Sequence, residues 1–308
     1  MLLASESSGA KIILTGEHAV VYNYKAIALP FNGVKTTVNI YKTNEEITIK
    51  SKFHSGLLKD GSETILGLQQ LVYHLLEKFN VEPFGLHIEV ESNIESRRGM
   101  GSSAAVSVAA TKALFRAFNK VLSDEELIEH SMYAERFFHK NPSGLDVHTI
   151  VKQKPIVYFK NSDYEYLNIN LKAHLVIIDT LLSSQTRDAV KKVANLKLEH
   201  PKTINQILKA IGVLSDKAEI ALKTNDLKSL ETILKTNQKY LRMLGVSNLT
   251  IDKTIAKAKK LGLKGLKLTG GGMGGCVIGL TNDLQVIETI KNNFESVWVD
   301  NLGEKYES

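Results

Sequence analysis

Residues 98–105 read Arg-Gly-Met-Gly-Ser-Ser-Ala-Ala and run straight into the alanine-rich stretch VSVAATKALFRAF. Glycines ahead of such a run predict a tight turn that opens an α-helix. The first N–H groups of a helix lack intrahelical acceptors, and the helix dipole puts its positive end there, so the segment suits a phosphate. Gly99 and Gly101 let the chain wrap a polyphosphate, and Ala104 and Ala105 leave room beside it. Ser102 and Ser103 offer hydroxyls to phosphate or Mg²⁺. A serine-capped helix after a glycine turn would account for Ser102 but hardly for the whole string. No lysine follows the glycines, so this is not a Walker A loop.

Two further glycine-bearing segments lie on either side of it. Lys11-Ile-Ile-Leu-Thr-Gly-Glu-His-Ala-Val-Val-Tyr is a strand that delivers a lysine, followed by a turn at Gly16 that presents Glu17 and His18. Alone, it reads equally well as a surface β-turn behind a strand-edge lysine. Thr269-Gly-Gly-Gly-Met-Gly-Gly joins two β-prone runs; a hairpin needs one or two glycines, so this many suggest backbone that hugs a ligand or changes conformation. A merely flexible hairpin is the alternative.

Two carboxylates follow the serine-bearing helix. Glu135, in HSMYAERFFH, lies close to that helix's apolar stripe, where a buried carboxylate needs a partner and a metal would serve. Locally the favoured reading is a surface glutamate paired with Arg136 or Lys140. Asp146, in Asn141-Pro-Ser-Gly-Leu-Asp, is displayed from a turn fixed by Pro142 and Gly144 and could accept a hydroxyl proton. It reads equally as the N-cap of the next helix.

Around these segments the pattern is mixed. AKIILTG, AIALPF, VKTTVNIY, EEITIKS and FGLHIEVES read as strands, with Val34, Thr36, Val38 and Ile40 on one face. A helix with apolar residues from Ile65 to Phe79 is expected to start from Asp60 and Glu63, and Ser123 with Glu126 forms a capping box for another. The second half has the buried strand AHLVIIDT, a long helical stretch over residues 186–261, strand–glycine loop–strand, a short helix and the terminal strand VWVD. The change of style sets a domain boundary near residue 165, giving domains 1–165 and 166–308.

The bulk numbers exclude several classes. With 308 residues, 43% hydrophobic and 23% charged, the chain has ordinary globular composition. One cysteine, Cys276, allows no intrachain disulfide and fits a reducing cytoplasm. The start MLLASESSGAK lacks a signal-peptide pattern, and HLVIIDTLL, broken by Asp179, is too short to span a membrane. The formal charge is +6, yet no Arg-rich tail or zinc spacing points to nucleic acid, and the dense lysine run 253–267 reads as a solvated helix face.

Taken together, Lys11 through Tyr22, RGMGSSAAVSVAA and KLTGGGMGGCVIGL resemble, in order, the three signatures of the GHMP kinase superfamily. AER and NPSGLD fall where that family keeps a metal glutamate and a catalytic aspartate. Gly-Glu-His-Ala-Val-Val points to the mevalonate kinase branch: phosphomevalonate kinases usually carry Tyr after Gly-Glu, galactokinases place a different set around it, and homoserine kinases lack the element. One departure is Glu95, where the family's phosphate loop usually has proline; Arg97 and Arg98 could offset its charge.

The resemblance implies an α+β fold with two domains, an N-terminal mixed α/β domain carrying the phosphate loop and a C-terminal ferredoxin-like domain, with ATP and substrate in the cleft between them. It implies phosphorylation of the primary alcohol of mevalonate by ATP with Mg²⁺, a related kinase for phosphomevalonate or another small alcohol being the alternative, and a non-catalytic sensor a more distant one. Arg98, Gly99, Met100, Gly101, Ser102, Ser103 and Ala104 would hold the polyphosphate, and Ser103 with Glu135 the metal. Asp146 would take the alcohol proton, and Lys11 would stabilise charge on the transferred group. Glu17, His18, Thr186, Arg187, Gly271 and Gly272 would contact the substrate, Arg187 at its carboxylate. The partners implied are small molecules, without nucleic acid or membrane, and a homodimer stays open.

Overall fold

The computed structural model of the chain describes residues 1–94, 98–138, 142–159, 164–184 and 186–303. The chain forms two compact units: Met1–Ala10, Val34–Glu95 and Gly101–Gln153 make one, and Lys11–Gly33, Ser96–Met100 and Lys154–Ser308 make the other. A single cut near residue 165 does not express this interleaving, because two long strands begin in one unit and end in the other.

The first unit takes β1 (Leu2–Thr15) as far as Ala10 and β2 (Ala26–Glu46) from Val34 onward. Separate strands are expected at 26–31 and 34–41, but the structure runs one strand through Asn32 and Gly33, since neither has the positive φ that would turn the chain. Val34, Thr36, Val38 and Ile40 are all buried while Lys35 is exposed, as the alternation predicts. β3 (Thr48–Lys50), β4 (Ser55–Leu57), α1 (Leu66–Phe79) and β5 (Phe84–Ser92) follow. β5 lies antiparallel on β2, with Val38 opposite Val90 and Ile40 opposite Ile88, while β3 runs parallel to β5 and antiparallel to β4.

Asp60 and Glu63 do not start α1. Each belongs to its own 3₁₀ turn, Leu58–Asp60 and Glu63–Ile65, and the helix opens at Ile65 without a side-chain cap. Leu68, Leu71, Val72 and Leu75 of α1 pack with Ala109, Ala110, Ala113 and Leu114 of α2 (Ser102–Ala117) and with Ala134 of α3 (Asp124–Phe138). The expected capping box is present: the Glu126 N–H donates to Ser123 Oγ at 3.2 Å and the Ser123 N–H to the Glu126 carboxylate at 3.3 Å. α4 (Leu145–Lys152) closes the unit.

In the second unit β6 (Ile156–Tyr158) pairs with the start of β2, and β7 (Glu165–Tyr166) pairs with β6. β8 (His174–Asp179) then leads into α5 (Thr186–Glu199), α6 (Pro201–Lys223), α7 (Leu227–Met243) and α8 (Leu249–Lys260). The expected long helical stretch breaks where its sequence says it should. Pro201 opens α6, and Asp226 and Asn248 accept the Ser229 and Ile251 N–H groups to cap α7 and α8. β9 (Lys264–Leu268), β10 (Cys276–Thr281), α9 (Leu284–Asn293) and β11 (Val297–Asn301) complete the chain.

The sheet order β11-β8-β10-β9, antiparallel throughout, is that of a ferredoxin-like β-α-β-β-α-β unit whose first crossover has grown into α5–α8. The terminal strand therefore returns to this sheet, beside β8. Val176 and Ile178 of β8, Leu208 and Ile211 of α6, Leu241 of α7 and Val277 of β10 form its core. Each such side chain contributes about 1.5–3 kcal/mol relative to exposure. Among the described residues no helix is long and apolar enough to cross a membrane.

Candidate active site

β1 carries Lys11 into the second unit at 2% exposure. Its ammonium donates to the Gly99 carbonyl at 2.8 Å, and its own N–H donates to the Met100 carbonyl at 3.1 Å. Lys11 thus brackets the Arg98–Met100 backbone with both its main chain and its side chain.

Gly99 (φ 78°) faces Gly270 (φ 78°). A Cβ on Gly99 would come within 2.6 Å of the Thr269 carbonyl oxygen, and one on Gly270 within 2.6 Å of the Gly99 Cα. The two glycine segments therefore press backbone on backbone, and glycine is required there by the protein's own packing. Thr269 Oγ1 adds a stitch by accepting from the Ile13 N–H at 3.1 Å and donating to the Ile13 carbonyl at 2.9 Å.

Gly16 (φ 97°) turns the chain after β1, and His18 itself has a positive φ of 62°, uncommon for a non-glycine residue. His18 Nε2 lies 2.9 Å from the Gly271 carbonyl, which can only accept, so the neutral ring carries its proton on Nε2 and donates. Burial lowers the His18 pKa to about 4, outweighing the raising effect of this hydrogen bond. Ser184 Oγ donates to the next carbonyl, Gly272, at 2.8 Å. Two successive peptide groups of the loop are thus pinned.

Glu17, 1% exposed, forms an ion pair with Lys267, which is fully buried, and accepts from Asn237 Nδ2 at 3.2 Å. Burial lowers the Lys267 pKa; the Glu17 carboxylate raises it and the Lys11 charge lowers it further. Arg98 Nε donates to Asp179 Oδ2 at 2.9 Å, and the other Asp179 oxygen accepts from the Leu181 N–H at 2.8 Å. Thr186 and Arg187 are the first residues of α5: Thr186 packs over Gly271, 2.8 Å from where a Cβ would stand, and Arg187 is exposed.

In the first unit Gly101 (φ 75°) precedes Ser102 at the start of α2, and among the described residues no side chain caps that helix. The amides of its first turn are therefore not taken by a capping side chain. Ser103 Oγ donates to Glu135 Oε2 at 3.2 Å. Ala104 and Ala105 are fully buried, so they fill the core and do not leave open space beside the loop. Glu135 is 4% exposed, which overturns the local reading of a surface glutamate. Its carboxylate and the Ser103 hydroxyl form a hard-oxygen pair of the kind that suits Mg²⁺ shared with a phosphate. Asp146 lies half-buried in the first turn of α4, whose N-cap is Gly144 (φ 87°), so Asp146 is not the cap. Glu95, Arg97, Lys140 and Asn141 lie outside the described residues.

The GHMP kinases N terminal domain matches residues 67–154 and the GHMP kinases C terminal domain matches residues 218–300. A mevalonate kinase of Archaeoglobus fulgidus is 33% identical over 280 residues, 89% of this chain and 91% of that protein. The chain belongs to the mevalonate kinase branch of the GHMP kinases. The crystal structure of the Methanococcus jannaschii mevalonate kinase matches with a TM-score of 0.80 at 26% identity, covering 96% of each chain. A Streptococcus pneumoniae phosphomevalonate kinase reaches the same TM-score of 0.80 at 15% identity over 96% of this chain and 99% of its own, which is a likeness of fold alone.

For this GHMP kinase, sequence reasoning missed four residues: Asp179, Ser184, Asn237 and Lys267. Lys253, Lys257, Lys259 and Lys260 are exposed on α8 as the solvated-face reading expects, but Lys267 is not. It sits on β9, where a strand packed on both faces buries it. A lysine inside an apolar strand next to the glycine loop was the available signal.

Proposed function

We propose that this chain is a mevalonate kinase: it transfers the γ-phosphoryl group of ATP to the primary alcohol of (R)-mevalonate, giving 5-phosphomevalonate and ADP. The observation that carries this reading is the 33% identity with a mevalonate kinase along 89% of the chain. Fold cannot choose among alcohols here, because a phosphomevalonate kinase shares it equally well. Phosphoryl transfer is mainly positioning and charge stabilisation, so each residue takes a limited role.

The amides from Gly99 to Ala104, with Arg98, hold the polyphosphate. Ser103 and Glu135 would hold Mg²⁺, which supplies positive charge at the phosphates when bound. Asp146 accepts the alcohol proton as the new O–P bond forms and the bond to ADP breaks. Lys11 stabilises charge on the alkoxide and on the transferred group. Glu17, His18, Gly271, Gly272 and Thr186 orient the alcohol, and the exposed Arg187 pairs with the carboxylate. Its place is the cytoplasm, which suits a single buried cysteine.

The test is a coupled ADP-release assay with mevalonate, phosphomevalonate, galactose and homoserine. Mevalonate should exceed phosphomevalonate at least tenfold in kcat/KM, a difference of roughly 1.4 kcal/mol. Equal or faster turnover of phosphomevalonate would overturn this reading in favour of a kinase for phosphomevalonate.

A further inference from the structure

Asn237 lies on α7 with no exposed surface. Its neighbour Gln238 uses both ends of its amide, accepting from the Leu268 N–H at 2.9 Å and donating to Ser247 Oγ at 3.0 Å. Asn237 uses one. Its Nδ2 donates to Glu17 Oε2 at 3.2 Å, while its Oδ1 is buried without a hydrogen-bond partner among the described residues. The orientation is set by chemistry: an ionised carboxylate can only accept, so turning the amide over would face oxygen against oxygen. The orphan oxygen costs stability, so what the position gains from asparagine is the one bond its Nδ2 makes.

The bond it does make falls on a buried ion pair. Glu17 pairs with Lys267 through Oε1, and both residues are buried, so the orientation of the carboxylate is set by the few donors that reach it. We infer that Asn237 is a positioning residue: by holding Glu17 Oε2 it commits Oε1 to Lys267 and fixes how the carboxylate is turned. The inference rests on the proposed kinase reading, in which Glu17 orients the alcohol.

The experiment compares Asn237→Leu, which is close in shape, and Asn237→Ala, each alone and with Glu17→Gln, by steady-state kinetics and thermal unfolding. Kinetics are read on whichever alcohol the wild-type chain turns over, so a failure with mevalonate counts against the proposed function and leaves this test standing. Each single Asn237 variant should lose about 10- to 100-fold in kcat, the scale of a misplaced active-site group, with KM for ATP little changed. Asn237→Leu should lower the unfolding temperature, because the buried Glu17 Oε2 loses this donor, so kcat is read well below that temperature. In the Glu17→Gln background neither substitution should slow the enzyme further, since both act through the same carboxylate. Unchanged kcat in the folded single variants, or a loss that repeats in full beside Glu17→Gln, overturns the inference. If one variant does not fold, the other decides by the same criteria.

Discussion

Acid should weaken this fold through His18 in a way that can be isolated. In the folded chain burial holds the His18 pKa at about 4, against 6.5 for the free side chain. The unfolded chain therefore binds the proton first as pH falls, and binding it favours unfolding. The stabilisation is complete above pH 6.5, declines as pH falls below that value, and is exhausted near pH 4. Each pH unit within this window is worth about 1.4 kcal/mol, so His18 alone should remove about 2 kcal/mol by pH 5. That is a sizeable share of a typical total of about 5–15 kcal/mol. His130 and His148 are also lowered by burial and add to the same trend, so the comparison must isolate one ring. His18→Gln does this: it removes the titration and keeps an N–H donor for the Gly271 carbonyl. Urea unfolding at pH 7 and pH 5, for both proteins, measures the difference. The wild type should lose about 2 kcal/mol more than His18→Gln over that interval. Equal losses would mean that the ring takes up its proton as easily folded as unfolded, and the account of a neutral imidazole donating to Gly271 would fail.

Other expectations follow from the Ser103–Glu135 pair and from the catalytic assignments. Glu135→Gln should raise the Mg²⁺ concentration needed for half-maximal rate while calorimetry finds mevalonate binding without nucleotide nearly unchanged; the opposite pattern would make Glu135 a substrate residue. Asp146→Asn should lower kcat by about 10²–10⁴-fold with both KM values little changed, the worth of a positioned base, and wild-type turnover of the folded variant would remove Asp146 from the mechanism. Lys11→Met should lower kcat too, and added to Asp146→Asn it should slow the enzyme hardly more than the worse single change.

The sequence made the elements legible wherever the signal was local. The capping box at Ser123 and Glu126, the alternation from Val34 to Ile40, and the strand–loop–strand around the glycines all appear as read. Helix starts set by tertiary packing were not legible: α1 opens without a cap, past the carboxylates that seemed to announce it. The same divide runs through the candidate site. Gly16, His18 and the loop at Gly99 announced themselves, because backbone geometry leaves a mark in composition. Asp179, Asn237 and Lys267 did not, since each acquires its meaning from a partner more than eighty residues away, Arg98 for the first and Glu17 for the other two. A buried lysine and a surface lysine are the same letter, and only the pairing with Glu17 separates them.

The glycine loop shows why recognising the family and recognising the substrate are different inferences. Its glycines read as backbone prepared for a ligand, yet Gly270 is pressed against Gly99 and Gly272 would bring a Cβ within 2.4 Å of the Val246 carbonyl oxygen. The loop's composition is thus fixed by how the second unit packs on itself, and any chain that keeps this packing keeps the glycines whatever alcohol it uses. Glu17 and His18 carry more information about the branch, but they too have partners inside the unit, Lys267 and Gly271. Substitution at either would disturb the packing as well as any substrate contact, so loss of activity in such a variant says little about which molecule is bound. Discrimination has to be sought at side chains whose removal leaves the unit intact. Arg187, exposed at the start of α5, is one of these. A carboxylate-bearing alcohol and a neutral one differ where a guanidinium would meet them. Substrate choice is therefore best read from the alcohol panel and from changes at Arg187, while the glycines and the buried pair report whether the fold is whole.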